Sequence, residues 1–235
     1  MIELIQFYPA WNIPNASPFC MKLETYLKMA SIPYQNGYTN DPRKMPNGKL
    51  PAIKDNGKLI VDSRLIITHL ENTHGQPLDG HLSASEKATA HAFGRMIEEH
   101  LYWGMVYSRW IMPENFSRLC QDWFSVLPWP LRLFIPKKLQ KNVRAQLNGA
   151  GLGRLTHEQI ITLCQQDIDA LADFLGDKTF FMGEQPSSID ACVHAILVGL
   201  MNVPIESEIK THALSKTNLT AYCQRMNQRY WADKA

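Results

Sequence analysis

The chain has 235 residues, enough for one large domain or two small ones. With 45% hydrophobic residues, 20% charged residues and a net charge of +2, it reads as an ordinary soluble globular protein, and nucleic acid is excluded as its main partner. No apolar run nears the roughly 20 residues of a membrane span. The start, "MIELIQFYPAW", reads as a strand and lacks the basic segment of an export signal. Five scattered cysteines, none spaced C-x-x-C, suit reduced thiols, so a cytoplasmic setting is expected.

Residues Ile2 to Tyr8 form the first predicted strand, apolar on both faces as in a sheet centre. Ser17-Pro18 then opens a helix, with Ser as N-cap and Pro at the first helical position. Leu23, Tyr26, Leu27 and Ala30 supply its apolar stripe. A weaker strand runs from Pro33 to Tyr38. "KLPAIKDNGKLIV" reads as a hairpin turning at Asp55-Asn56-Gly57. Asp62-Ser63 caps a further helix carrying Leu65, Ile66, His69 and Leu70 at helical spacing. The order β-α-β-(α)-β-β-α is the outline of a thioredoxin-like domain over residues 1–75.

Residues 76–82 are polar, contain Gly and Pro, and are taken as a linker. Residues 83–235 carry only helical patterns, which predicts an all-α second domain. Helices are expected over 83–111, 113–127, 137–148, 156–175, 187–203 and 215–230. Thr156-x-x-Gln159 is a capping box, and Ser187-x-x-Asp190 is a variant with a shorter acid.

The stretch "NASPFC" (residues 15–20) stands at the first strand-to-helix turn. Cys-Pro-aromatic-Cys at such a turn is thiol–disulfide chemistry. Here an oxygen, Ser17, replaces the first sulfur, and only Cys20 remains. A helix N-terminus stabilises anions. A serine hydroxyl there fits donation of a hydrogen bond to a thiolate supplied by a bound thiol. It also fits a plain N-cap. Leu50-Pro51 at a strand entry suits backbone pairing with a bound peptide, and equally an edge-strand proline. Asp62-Ser63 suits carboxylate capture, and equally a second cap. The long helix starting near Ser83 carries Met96, Glu99, His100, Trp103, Tyr107 and Trp110 along one flank, an apolar pocket wall or a helix-packing seam. Trp11 and Asn15 lie in the loop ahead of Ser17, where ligands are commonly touched. No metal ligand set can be picked out by spacing, and none is expected.

The first half, "SPFCMKLETYL", "GKLPAI" and "DSRLIITHLE", resembles the thioredoxin-like domain of glutathione S-transferases. "GEQPSSIDA" resembles the capping box and buried Asp of that family's helical domain. "RMIEEHLYW", "GAGLGRLTHEQI" and "DFLGDKTFFMGEQPSSIDA" resemble more narrowly the failed-axon-connections and metaxin-related branch. The resemblance implies a homodimeric transferase using glutathione as co-substrate. It places Ser17 as the thiol-activating hydroxyl, and gives glutathione binding to Lys49, Leu50, Pro51 (in cis), Asp62 and Ser63. Trp11, Asn15, Glu99, Trp103 and Tyr107 would line the pocket of an apolar electrophile or peroxide. Tyr8 is one residue past the position of the family's tyrosine activator. Cys20 remains a possible redox thiol, though more simply buried packing. The branch implies an alternative, a non-catalytic module for protein or membrane interaction. The basic aromatic segment 128–144 would then give weak membrane-surface contact.

Overall fold

A computed structural model describes residues 1–75 and 77–232. Gln76, the first residue of the expected linker, and residues 233–235 lie outside the described residues. The first domain comprises β1 (Ile2–Gln6), α1 (Pro18–Met29), β2 (Tyr34–Tyr38), β3 (Ala52–Asp55), β4 (Lys58–Val61) and α2 (Ser63–Thr73). The short helix expected between the second and third strands is only a 3-10 turn at Pro42–Lys44. The sheet order is β2-β1-β3-β4, with β1 parallel to β2 and antiparallel to β3. β1 is central, which is why four of its five residues are buried. The β3–β4 loop is two residues long, with Asn56 and Gly57 at φ 48° and 79°. Positive φ at both centres matches the twist of the strands and explains the Asn-Gly pair.

The second domain begins with Ser83, whose hydroxyl and Glu86 form a capping box on α3 (Ala84–Met96). A π-helical turn at Ile97–Leu101 joins α3 to α4 (Tyr102–Trp110). The expected single long helix is therefore continuous but carries an inserted residue per turn at its middle, a feature often found at functional sites. Then follow α5 (Pro113–Phe124), α6 (Leu131–Ala150), α7 (His157–Leu175) and α8 (Ser188–Met201). α9 (Glu208–Ser215) and α10 (Thr217–Tyr230) complete the domain.

Two helices differ from expectation. α6 starts six residues before Lys137 and takes Pro136 inside it, at the loss of one backbone bond. The expected last helix is α10, which starts at Thr217, and extended backbone at Lys216 (ψ 92°) separates it from an additional helix, α9. α9 was not foreseen, although Ser207 caps it by accepting from Lys210 N at 3.1 Å. Much of α6 is exposed, with Trp129 at 70% and Phe134 at 67% marking the start of the basic aromatic segment.

The core runs through both halves. Every residue of α8 from Ile189 to Met201 is buried. Its Ala191 belongs to the apolar cluster of Leu4, Leu23, Tyr26, Leu27 and Ile53 in the first domain. Ala195 and Val198 pack with Ile13 and Met21. α1 is thus held between the sheet and α8.

Candidate functional site

Ser17 sits where extended backbone (φ −85°, ψ 119°) gives way to α1. Its Oγ accepts from Cys20 N at a long 3.5 Å. That capping role uses a lone pair and leaves the O–H to donate elsewhere. The turn ahead of it is braced from inside. Asn15 accepts from Ser17 N at 3.0 Å and donates to Phe7 O at 2.8 Å and Gln6 Oε1 at 3.2 Å. At 1% exposure Asn15 is part of the scaffold, which corrects its expected place in a substrate pocket.

Cys20 is fully buried, and burial pushes its thiol up to about 12. A neutral, enclosed thiol is a poor nucleophile. Cys120 is partly exposed, while Cys164, Cys192 and Cys223 are buried. A maleimide reagent should therefore label native protein at Cys120 alone, with all five thiols reacting after denaturation. Rapid native labelling of Cys20 would restore its redox reading.

Leu50-Pro51 is cis. Leu50 packs with Ile5, Cys20 and Ala52, so the entry to β3 lies against the first turn of α1. Lys49 is exposed, and its N–H donates to Asn47 Oδ1 at 3.1 Å. Asp62 adopts φ 72° and caps α2, accepting from Arg64 N at 2.9 Å and Leu65 N at 3.3 Å. Ser63 beside it is buried, and its Oγ accepts from Lys22 Nζ at 3.3 Å. An ammonium has no lone pair, so the Ser63 O–H is left to donate.

Lys22 was not foreseen as a site residue. It is 5% exposed and pairs with Glu98 Oε1 at 2.6 Å. Arg64 pairs with the other oxygen of Glu98. Cys192 Sγ lies 3.6 Å from Glu98 Oε1. Burial alone would raise the Glu98 carboxyl, but the charges and hydrogen bonds of Lys22 and then Arg64 outweigh it and hold it below the ordinary value. Two cations against one anion leave this buried cluster, at the foot of Ser63, with a net positive charge.

The long helix presents a different flank to α1 than expected. Glu98 meets Lys22, Tyr102 stacks edge-on with Phe19 at 4.9 Å, and Arg109 donates to Ala16 O at 2.6 Å. Arg109 also donates to Gly199 O at 2.6 Å, and burial lowers its guanidinium to about 10. The predicted flank turns out otherwise. Glu99 is exposed and pairs with Arg95 at 3.2 Å. Trp103 packs into the helical core, and Tyr107 O–H meets His157 Nδ1 of α7 at 3.1 Å. His100 meets Asp167 of α7 at 2.5 Å. Aromatic content does not distinguish a ligand wall from a helix seam, and here the aromatics form the seam. Trp103 and Tyr107 thus pack within the helical domain, Glu99 faces solvent, and it is Tyr102 that lies beside Phe19 at the start of α1.

Trp11 keeps a place beside open space. Its indole donates to Asp122 Oδ2 at 2.8 Å and stacks on Trp123 at 4.5 Å. Arg109 lies 5.2 Å over its ring, linking it to the Ala16 carbonyl. With Asn12, Arg118, Met201, Val203 and Lys210 it borders a cleft of about 450 Å³. Tyr8 lies beyond the end of β1 and stacks on Tyr38 at 5.2 Å.

A four-stranded thioredoxin-like sheet, a cis-proline beside a helix N-terminus and a helical second domain define the two-domain transferase fold. Family models agree. Residues 18–115 match the glutathione S-transferase N-terminal domain, and residues 164–226 match the glutathione S-transferase C-terminal domain. The chain is 35% identical to the isoprene-epoxide–glutathione S-transferase of Rhodococcus sp. (strain AD45), covering 98% of this chain and 99% of that protein. It is 28% identical to mouse (Mus musculus) metaxin-1, over 98% of this chain and 75% of that one. It is 27% identical to Failed axon connections of Drosophila melanogaster, over 99% and 59%. Among solved structures, a glutathione S-transferase of Ceriporiopsis subvermispora in complex with glutathione superposes with a TM-score of 0.64 at 17% identity, covering 97% of each chain. The chain belongs to the glutathione S-transferase family, with metaxin-1 and Failed axon connections among its homologues.

Proposed function

We propose that the protein is a glutathione-dependent transferase in which the Ser17 hydroxyl activates the tripeptide's thiol. The observation that carries this is the Lys22 ammonium reaching from α1 to Ser63 Oγ at 3.3 Å. It joins the two helix starts and turns the Ser63 hydroxyl into a donor. The residues fit glutathione's groups. Ser63 O–H and the net positive cluster beneath it suit its γ-glutamyl carboxylate. The backbone of Leu50 suits pairing with the cysteinyl unit, and exposed Lys49 suits the glycine carboxylate. Ser17 O–H then donates to the sulfur, favouring the thiolate.

The thiolate displaces the leaving group of an electrophile. The sulfur–carbon bond forms as the carbon–oxygen or carbon–halogen bond breaks with its electron pair. The rhodococcal relative is named for an epoxide. A small apolar epoxide is therefore the first electrophile to try. Tyr102 keeps its phenol protonated, since burial raises it, and so stands at the α1 face as a neutral donor.

Calorimetric titration with reduced glutathione tests the reading. Wild type should bind in the micromolar to millimolar range. Ser63→Ala should bind roughly tenfold to a hundredfold more weakly, the worth of a hydrogen bond to a charged group. Ser17→Ala should bind nearly as wild type but turn over roughly tenfold or more slowly, with a raised pKa of the bound thiol. No binding by wild type at cellular glutathione levels would overturn the enzyme. The fold would then serve docking, and the exposed Trp129 and Phe134 would mark the face to examine.

A further inference from the structure

At the opposite end of α2 from Ser63, three side chains from distant positions converge. Asp55 closes β3, His69 lies in the last turns of α2, and His74 is its C-cap. His69 Nε2 stands 2.8 Å from Asp55 Oδ2, and His74 Nε2 stands 2.6 Å from the same oxygen. One ligand atom from each residue falls within 4.8 Å of the others. We propose that Asp55, His69 and His74 form a binding site for a divalent transition-metal ion of the zinc type.

The hydrogen-bonding pattern favours an ion over a simple polar clamp. Asp55 is only 4% exposed. Both imidazoles crowd one of its oxygens, while the other, Oδ1, is buried without a hydrogen-bond partner among the described residues. A buried carboxylate with one bare oxygen is costly. A cation seated among the three answers the whole arrangement, because it takes a lone pair from each Nε2 and engages the carboxylate. Two imidazoles and one carboxylate are a borderline donor set, suited to zinc, cobalt or nickel and poorly suited to calcium or magnesium. Three protein ligands leave a coordination position to water. His69 and His74 are 22% and 28% exposed in their side chains, so an ion can reach them from solvent. Spacing along the chain hides this set, since the acid comes from a hairpin and one histidine from a helix cap.

The bound ion would staple the end of α2 to the β3–β4 hairpin. Along α2, Ser63 lies roughly 9 Å from His69 and roughly 16 Å from His74. The site is thus separate from the glutathione chemistry, and its test needs no glutathione. Tag-free protein in thiol-free buffer, with Cys120→Ser to remove the accessible sulfur, is titrated with zinc by calorimetry and with cobalt by visible absorption. The expected result is one ion per chain, cobalt bands characteristic of low coordination number, and a higher thermal midpoint with zinc. His69→Gln and His74→Gln, checked for folding by circular dichroism, should each weaken binding at least about tenfold and abolish the zinc-induced midpoint shift. Absence of stoichiometric binding, or binding unchanged in both variants, would overturn the site.

Discussion

Replacing Glu98 with Ala should cost about 3–5 kcal/mol of stability, the penalty of leaving buried charge without its partner. For a chain of this length that lowers the thermal midpoint by roughly 6–20 °C, at about 2–4 °C per kcal/mol. Glu98 has 7% of its side chain exposed and takes Lys22 on one oxygen and Arg64 on the other. Its removal strands Lys22, whose side chain is also 7% exposed, with Ser63 as its one remaining partner among the described residues. Thermal unfolding followed by circular dichroism measures the effect. Replacing Lys22, Arg64 and Glu98 together by methionine should recover much of the loss, because no charge is then stranded. That triple variant should nevertheless bind glutathione poorly, which would separate a stabilising role of the cluster from its role under Ser63. The pH dependence has a definite sign. The Glu98 carboxyl is held below its ordinary value. Its stabilisation is therefore complete above about pH 4.3 and is lost as pH falls through the lower folded value. Glu98→Ala should lack that acid-sensitive component. A midpoint within about 2 °C of wild type would refute the account, since it corresponds to about 1 kcal/mol or less.

The second large effect is expected at Asp190. Its carboxylate is wholly buried and accepts from Phe181 N at 2.7 Å, Ser187 N at 2.8 Å, Ser187 Oγ at 3.0 Å and Tyr222 O–H at 2.9 Å. These bonds tie the start of α8 to the loop before it and to α10. Asp190→Ala leaves several buried donors unpaired, at about 1–3 kcal/mol each and less than additively. A total of about 3–5 kcal/mol is expected, measured by urea denaturation. Asp190→Asn keeps one acceptor oxygen but turns an amide N–H₂ toward donors, so it should fall between. Equal stability of the Ala variant and wild type would mean that α8 does not depend on this cap.

Much of this architecture can be read in the residues. Asn56-Gly57 announces a two-residue hairpin, Ser17-Pro18 a helix start, and Thr156 with Gln159 a capping box whose two hydrogen bonds form at 3.3 and 3.0 Å. These are local devices, decided within four residues. What the residues conceal is contact between distant positions. Lys22 looks like a solvent-facing lysine until Glu98, 76 positions on, is brought against it. Glu99 rather than Glu98 lies on the flank chosen from spacing, and the π turn at Ile97–Leu101 interrupts the regular period on which such a choice rests. Trp103 and Tyr107 have the composition of a ligand wall, and only packing shows Trp103 against the helical core and Tyr107 against His157 of α7. Asn15 stands next to the site in the chain, yet its amide is spent within the loop.

The burial of α8 has a further consequence. Its Ala191 completes the apolar layer on which α1 and the sheet rest. One wall of the first domain is thus contributed by a segment more than a hundred residues downstream. The boundary near residues 76–82 divides the chain in sequence but not in packing. The thioredoxin-like half is no interchangeable cartridge. Grafted onto a foreign helical partner, it would expose the side of α1 that α8 covers. Sequence change on the two facing helices is therefore constrained jointly, and a substitution that enlarges Ala191 or Ala195 must be answered across the seam at Leu23, Leu27 or Met21.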